Sequence, residues 1–388
     1  MMSKSRKIWL SNMKIKKILF ITGTRADYGK IKTLMSIVET SPKYELHVFV
    51  TGMHLSQLHG STYRAVQRDG WRNVHIDFAS ASHEEGMAQN LALIAGNLSN
   101  FIRALAPDLT VIHGDRIEAL AGVISSTLQN IRTAHIEGGE VSGTIDESIR
   151  HAITKLSHEH FVSSENAKNR LLKLGEENSR IHVIGSPDID VMLSSNLPSV
   201  EEVKKHYEIT FQDYFIATLH PVTTDLFDLK DKAEVFVSSL IDCGRNGILI
   251  YPNNDLGHEI ILSAYAKLLN NPQFKLFPSL RFEAFLTLLK NCQFIIGNSS
   301  AGIREAGIYG IPAIDIGNRQ QGRYSINELN NLQHVEFNKS DILHAIEETK
   351  NYRYSSKLFG SGGSAGKFLE IIDSDEFWSR SIQKRLTY

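Results

Sequence analysis

Residues 133–140 read Thr133-Ala-His-Ile-Glu-Gly-Gly-Glu140, and residues 142–151 continue Ser142-Gly-Thr-Ile-Asp-Glu-Ser-Ile-Arg-His151. A β-branched run ends in a glycine-rich loop that holds two carboxylates, Glu137 and Asp146, nine residues apart. Upstream, Val111-Ile-His-Gly-Asp-Arg116 repeats the design and closes on a third carboxylate, Asp115. Carboxylates at strand ends, beside glycines that admit a ligand, are where an open α/β sheet does chemistry. The stretch predicts a site that moves protons on a polar, anionic small molecule.

Working outward, short β-branched runs alternate with longer helical patterns along the whole chain. Strands are expected at 17–22, 45–51, 109–113, 132–136, 160–163 and 181–184, with amphipathic helices such as 87–105 and 117–129 between them. After breaks at Gly185-Ser-Pro187 and Asn196-Leu-Pro198 the alternation restarts, with strands at 214–219, 247–251, 274–277, 293–296 and 313–316. Such alternation implies right-handed βαβ units and parallel sheets covered on both faces. The reading is α/β, with two Rossmann-like doubly wound domains facing a cleft and joined near residues 190–200. Its boundaries are an extension at 1–12, a first domain at 13–190 with the carboxylates, and a second, nucleotide-binding domain at 191–370. A C-terminal helix within 371–388 is expected to pack back on the first domain. The cluster Gly360-Ser-Gly-Gly-Ser-Ala-Gly366 reads as a loop before it.

Composition narrows the function classes. Of 388 residues, 42% are hydrophobic and 22% charged, and 42 basic side chains face 43 acidic ones. With no global field there is no argument for nucleic acid or membrane, so an anion site must be local. Cys243 and Cys292 are the only cysteines and lack CxxC spacing, which fits a reducing cytoplasm and gives no zinc cluster. The basic stretch before Ile18-Leu-Phe-Ile21 mimics a secretory signal, but the run is short and continues into Gly23-Thr-Arg-Ala-Asp27 without a cleavage site. It reads as a buried first strand, with Met13 as a candidate start. No apolar stretch approaches the ~20 residues of a membrane span.

Gly23-Thr-Arg-Ala-Asp-Tyr-Gly-Lys30 follows strand one and opens a helix. Five residues separate its glycines and Ile31 follows the lysine, so dinucleotide and P-loop fingerprints both fail. Arg25 and Lys30 still suit an anion at a helix N-terminus, or are solvated charges of a plain βα turn. In Asn298-Ser-Ser-Ala-Gly-Ile-Arg-Glu305, Ser299 and Ser300 either cap a helix or bind phosphate oxygens, and Glu305 suits two ribose hydroxyls. His113-Gly-Asp115 and His135-Ile-Glu137 resemble metal ligands superficially, but no metal-binding spacing exists and no metal is expected. His220, in His220-Pro-Val-Thr-Thr224, either binds diphosphate and protonates a leaving oxygen or satisfies a loop carbonyl. Arg116, Asn253, Arg281 and Arg319 complete the candidate substrate contacts.

Together these motifs resemble the hydrolysing UDP-N-acetylglucosamine 2-epimerases, which supply N-acetylmannosamine for sialic acid synthesis and surface polysaccharide. The resemblance rests on GTRADYGK (23–30), IHGDR (112–116), HIEGGEVSGTIDESIRHAITKLSH (135–158), GSPDID (185–190), HPVTT (220–224), YPNND (251–255) and GNSSAGIREA (297–306). They fall in matching order over roughly residues 17–325. Related non-hydrolysing epimerases carry a histidine followed by arginines and Glu-Asn where this chain has HPVTT. The resemblance implies the glycosyltransferase-B architecture, a UDP-sugar in the cleft, no cofactor, and a cytoplasmic homodimer or homotetramer. By motif position, Asp115, Glu137 and Asp146 match the family's acid/base carboxylates and His220 its active-site histidine. Arg25, Asn253, Ser299, Ser300, Glu305 and Arg319 match nucleotide and diphosphate contacts.

On that reading UDP departs, a carboxylate removes the C2 proton to give a 2-acetamidoglucal, and water with a returned proton completes epimerisation. Clustered carboxylates are expected to raise one another's pKa, so that one is protonated near neutrality. Three alternatives remain: a hydrolysing 2-epimerase of nucleotide-linked N,N'-diacetylbacillosamine, a retaining glycosyltransferase, and a non-catalytic nucleotide-sugar sensor.

Overall fold

A computed structural model describes residues 15–80, 86–141, 145–320, 322 and 329–385; the expected extension at 1–12 lies outside them. The first sheet is built from β1 (Lys16–Thr22), β2 (Tyr44–Val50), β3 (Val74–Ile76), β4 (Leu109–His113), β5 (Arg132–Ile136), β6 (Glu159–Val162) and β7 (Ile181–Val183). All pairings are parallel, in the order β3-β2-β1-β4-β5-β6-β7. The second sheet holds β8 (Phe215–Thr218), β9 (Gly247–Ile250), β10 (Phe274–Phe277), β11 (Ile295–Gly297), β12 (Ala313–Ile316) and β13 (Leu332–Val335). Its order, β10-β9-β8-β11-β12-β13, is again parallel throughout. Two Rossmann-like domains thus face each other across a cleft, the glycosyltransferase-B arrangement.

The expected strands form where β-branched residues are buried on both faces, as a helix-covered parallel sheet requires. Ile18, Leu19 and Phe20 of β1 and Val111 and Ile112 of β4 are fully buried. The sequence reading missed β3 and β13. Both are short edge strands with largely half-buried residues, so neither shows a continuous apolar run. Helices differ less: Met87–Leu105 falls where expected, and Ile117–Thr127 ends two residues early.

Two crossings join the domains, side by side. In the first, Gly185-Ser-Pro187 leads into the helix Pro187–Met192. In the second, residues 359–365 return from the second domain, and the Ser186 N–H donates to Phe359 O at 3.0 Å. A Cβ on Gly360 would stand 3.2 Å from Gly185 Cα, so close approach of two backbones explains part of the glycine cluster. Asp190 accepts from the N–H groups of Ser364 (3.1 Å) and Ala365 (2.8 Å), which starts the helix Ser364–Ile372. Chain returned to the first domain therefore begins to be helical at Ser364, ahead of the expected position 371. Phe368, Ile372 and Phe377 pack with Ile18, Phe20 and Phe161 of the first sheet. Among the described residues no helix is long and apolar enough to cross a membrane.

In each domain, the connections leave the first strand in opposite directions. The switch points lie between β1 and β4 and between β8 and β11, and they open crevices at the carboxyl ends of the strands. At the second of them Gly297 has φ +133°, and a Cβ there would lie 2.0 Å from Thr218 O. Gly297→Ala should therefore cost about 2 kcal/mol or more, through overpacking and a disfavoured backbone, read as a lowered thermal midpoint.

Three core histidines are neutral. His54 lies between the Thr22 and Thr62 hydroxyls, His135 between Gly114 O and Thr154, and His158 against Thr133. Burial pushes His54 and His135 down to about 3 and His158 to about 4. Unfolded histidines protonate near 6.5, so unfolding takes up protons below that pH and stability is lost on acidification. Thermal midpoints measured from pH 7 to 5 should fall steadily; a flat profile would contradict this burial.

Candidate active site

The two crevices share one cavity of about 360 Å³. From the first domain it is lined by Arg25 and Lys30 beyond β1, Asp115 and Arg116 beyond β4, Glu137 beyond β5, and Asp146 on the helix Ile145–Leu156. From the second come His220 after β8, Asn253 after β9, Ser299, Ser300 and Glu305 after β11, and Arg319 after β12. The glycine turn that presents Arg25 is fixed by a capping box. Thr24 accepts from the Asp27 N–H at 3.1 Å, and the Asp27 carboxylate accepts from the N–H groups of Gly23 and Thr24.

Arg281 is the one expected contact absent from this lining. It is the N-cap residue of the helix Phe282–Lys290, and its Nε donates to first-turn Glu283 at 3.0 Å. With Asp69 at 3.6 Å it forms a half-exposed ion cluster on the domain boundary, outside the cavity.

Each of the three carboxylates has an arginine partner. Asp115 accepts from Arg150, whose Nη1 also donates to Glu140 O at 2.9 Å. Glu137 Oε2 accepts from Arg304 Nη1 at 2.9 Å and faces His113 Nε2 at 3.2 Å, while Oε1 accepts from Arg304 Nη2 and the Ser186 hydroxyl. Asp146 lies 3.7 Å from Arg319. This corrects the expectation of mutually raised carboxyl pKa values at Glu137. Burial pushes its pKa up, but the Arg304 guanidinium, His113 and Lys30 together hold it well below the usual range.

Other expected ligand contacts also pair with protein groups. Lys30 Nζ sits 2.8 Å from Glu305 and 3.1 Å from Asp188. Arg116 donates to Asp255 at 2.9 Å and to Asn254 at 2.7 Å. Even so, among the described residues the buried Nε of Arg25, Arg116 and Arg319, Asn253 Oδ1 and Glu305 Oε2 find no hydrogen-bond partner. Unmet buried polar atoms cost roughly 1–3 kcal/mol each, so their concentration in one cavity marks a site for a polar ligand.

His220 Nδ1 accepts from the Asn253 N–H at 3.1 Å, which leaves the proton on Nε2. Burial, followed by the nearby Arg319 charge, pushes its pKa down to about 3, so it is a neutral donor. The expected helix start at Ser299–Ser300 is a single 3₁₀ turn, Ser300–Gly302, with Ser299 capping the Ala301 N–H, and the α-helix begins only at Glu305. A short turn, rather than a full helix N-terminus, therefore borders the cavity there. His113 and His135 bind protein groups, and among the described residues no group of three His, Cys, Asp or Glu is placed to hold a metal ion.

Sequence reasoning did not single out Arg150, Arg304, Ser186 or Asp188. All four fall inside quoted motifs, so position was available as a signal. Their partners were not, because 167 residues separate Glu137 from Arg304.

Comparison with known proteins fits this geometry. The sequence model of the UDP-N-acetylglucosamine 2-epimerase family matches residues 36–373. The chain is 44% identical over 380 residues to the UDP-N-acetylglucosamine 2-epimerase of Neisseria meningitidis serogroup B, covering 96% of this chain and 98% of that one. It is 30% identical to the UDP-N,N'-diacetylbacillosamine 2-epimerase (hydrolyzing) of Legionella pneumophila, covering 96% of this chain and all of the relative. Its fold is that of Methanocaldococcus jannaschii UDP-GlcNAc 2-epimerase in complex with UDP-GlcNAc and UDP, with TM-score 0.79 and 22% identity over 92% of this chain and 99% of that one. The chain belongs to the UDP-N-acetylglucosamine 2-epimerase family.

Proposed function

We propose that this protein converts UDP-N-acetylglucosamine and water to N-acetylmannosamine and UDP, feeding sialic acid synthesis. The observation that carries the reading is the convergence of Asp115, Glu137 and Asp146, each beside an arginine, on a cavity lined by both switch points. A sensor has no use for three such carboxylates, and a glycosyltransferase would need an acceptor site as well.

The C2 hydrogen of a pyranosyl diphosphate has no neighbouring carbonyl, so direct deprotonation is prohibitive. Departure of UDP develops positive charge at C1 and acidifies C2–H. Arg25, the Nε2–H of His220 and the Ser299–Ser300 turn, all in the cavity lining, would stabilise the leaving diphosphate. One carboxylate then takes the C2 proton and leaves a 2-acetamidoglucal. A second directs water to C1, and a proton returned to the opposite face of C2 gives the manno product. The hydrolytic outcome is supported by HPVTT at 220–224 and by the Legionella pneumophila relative, which is a hydrolysing 2-epimerase. That relative also motivates the second reading, a nucleotide-linked N,N'-diacetylbacillosamine as substrate.

Proton NMR of the reaction in deuterated water should show free N-acetylmannosamine with deuterium at C2, together with UDP. Unchanged substrate alongside turnover of a UDP- or GDP-linked diacetylbacillosamine would select the second reading. Asp115→Asn, Glu137→Gln and Asp146→Asn should each lower kcat by about 10²–10⁴-fold while UDP binding by calorimetry persists. Full activity in all three would sink the acid/base assignment.

A further inference from the structure

Of the carboxylates that line the cavity, the three candidate acid/base groups Asp115, Glu137 and Asp146 are held differently. Asp115 is clamped by Arg150 from its own domain, whereas Glu137 is gripped across the cleft by Arg304. The guanidinium engages both Glu137 oxygens and also donates to the Ser186 hydroxyl at the first crossing. It stacks 5.1 Å from the Phe359 ring, at the second crossing. Glu137 itself has φ +64°, a backbone state that non-glycine residues adopt only when their surroundings enforce it. It is 5% exposed. The charged and titratable groups facing it are Arg304 from the β11 turn, His113 from β4 and Lys30 from the helix Arg25–Thr40. Lys30 is already committed to Glu305 and Asp188, and Arg304 is flanked by Asp188, Glu140 and Glu305.

We propose that Arg304 is a positioning residue that makes the ionised form of Glu137 conditional on domain closure, so that the proton returned to C2 comes from Asp115 or Asp146. This rests on the epimerase reading above. A carboxyl group this deeply buried favours its neutral form unless a cation faces it. The cation touching both oxygens belongs to the other domain, so opening the cleft withdraws it. Closure then sets the charge of Glu137 at the moment the substrate is enclosed. Held as a carboxylate on a fork of two N–H donors, Glu137 is available to face the positive charge growing at C1 and the acidified C2–H, and it cannot be the acid.

The test is the pH profile of kcat, which reports the enclosed, substrate-bound enzyme, followed by C2 deuterium exchange, for wild type, Arg304→Gln and Arg304→Lys. Arg304→Gln should shift the acid limb upward by about one pH unit or more, with a larger loss in kcat than in KM, and Arg304→Lys should recover part of both. An unmoved acid limb with the loss confined to KM would make Arg304 a diphosphate contact and overturn the proposal. If Arg304→Gln turns over too slowly, infrared difference spectra taken with and without the added Glu137→Gln change replace kinetics. A protonated-carboxyl band at neutral pH in UDP-bound Arg304→Gln, absent from UDP-bound wild type, supports the proposal; its absence from both, or its presence in both, overturns it. A wild type that turns over none of the nucleotide sugars sinks the epimerase reading, whatever the infrared spectra say about the pair.

Discussion

Burying a guanidinium and a carboxylate together is expensive, and removing one partner of such a pair typically costs about 3–5 kcal/mol. This protein places ion pairs of that kind across the boundary between its two domains. Glu137 meets Arg304, Lys30 meets Glu305, Arg116 meets Asp255 and Asp146 meets Arg319. Each pair joins a residue of one domain to a residue of the other, and each has at least one member lining the same cavity. The relative position of the domains and the charge state of the site are consequently one problem. The double crossing at residues 185–190 and 359–365 lies beside it, since Ser186 and Asp188 belong both to the first crossing and to the network.

That coupling suits a substrate with a diphosphate at its centre. The cavity holds cations matched to carboxylates, and an incoming dianion must exchange with some of those partners while satisfying the bare Nε atoms of Arg25 and Arg319. Charge-assisted contacts to phosphate oxygens are strong enough to compete. A carboxylate relieved of its cation becomes more basic, and one that keeps its cation stays ionised and inert as an acid. Three chemically similar side chains can thereby take different roles, set by which arginine stays with each.

The fold was legible because its signals are local. A strand buried on both faces must be largely apolar along its buried length, as Ile18–Ile21 of β1 and Val111 and Ile112 of β4 are, and a glycine with a polar residue follows where the crevice opens. Where burial is partial the signal fades, which is why Val74–Ile76 and Leu332–Val335 escaped notice. The site was legible to the same extent. Asp115, Glu137, Asp146 and His220 announce themselves as strand-end or helix-start residues with ionisable groups. Lys30 and Glu305 were both read as ligand contacts, although in the structure they contact each other. Arg304, Arg150 and the mislocated Arg281 share one cause. Sequence gives the residue type and the element it sits on, whereas an arginine's reach is decided by which carboxylate packing brings near.

The central claim is that the cleft breaks the bond between C1 and the diphosphate oxygen, with the carboxylates acting on the carbon side. It is tested most directly by running the reaction in water enriched in oxygen-18 and reading the phosphorus spectrum of the released UDP. The released UDP should carry no heavy oxygen on its β-phosphate, because water adds to sugar carbon. Heavy oxygen on the β-phosphate would mean attack at phosphorus, and would contradict the assignment of Asp115, Glu137 and Asp146 to chemistry at C1 and C2.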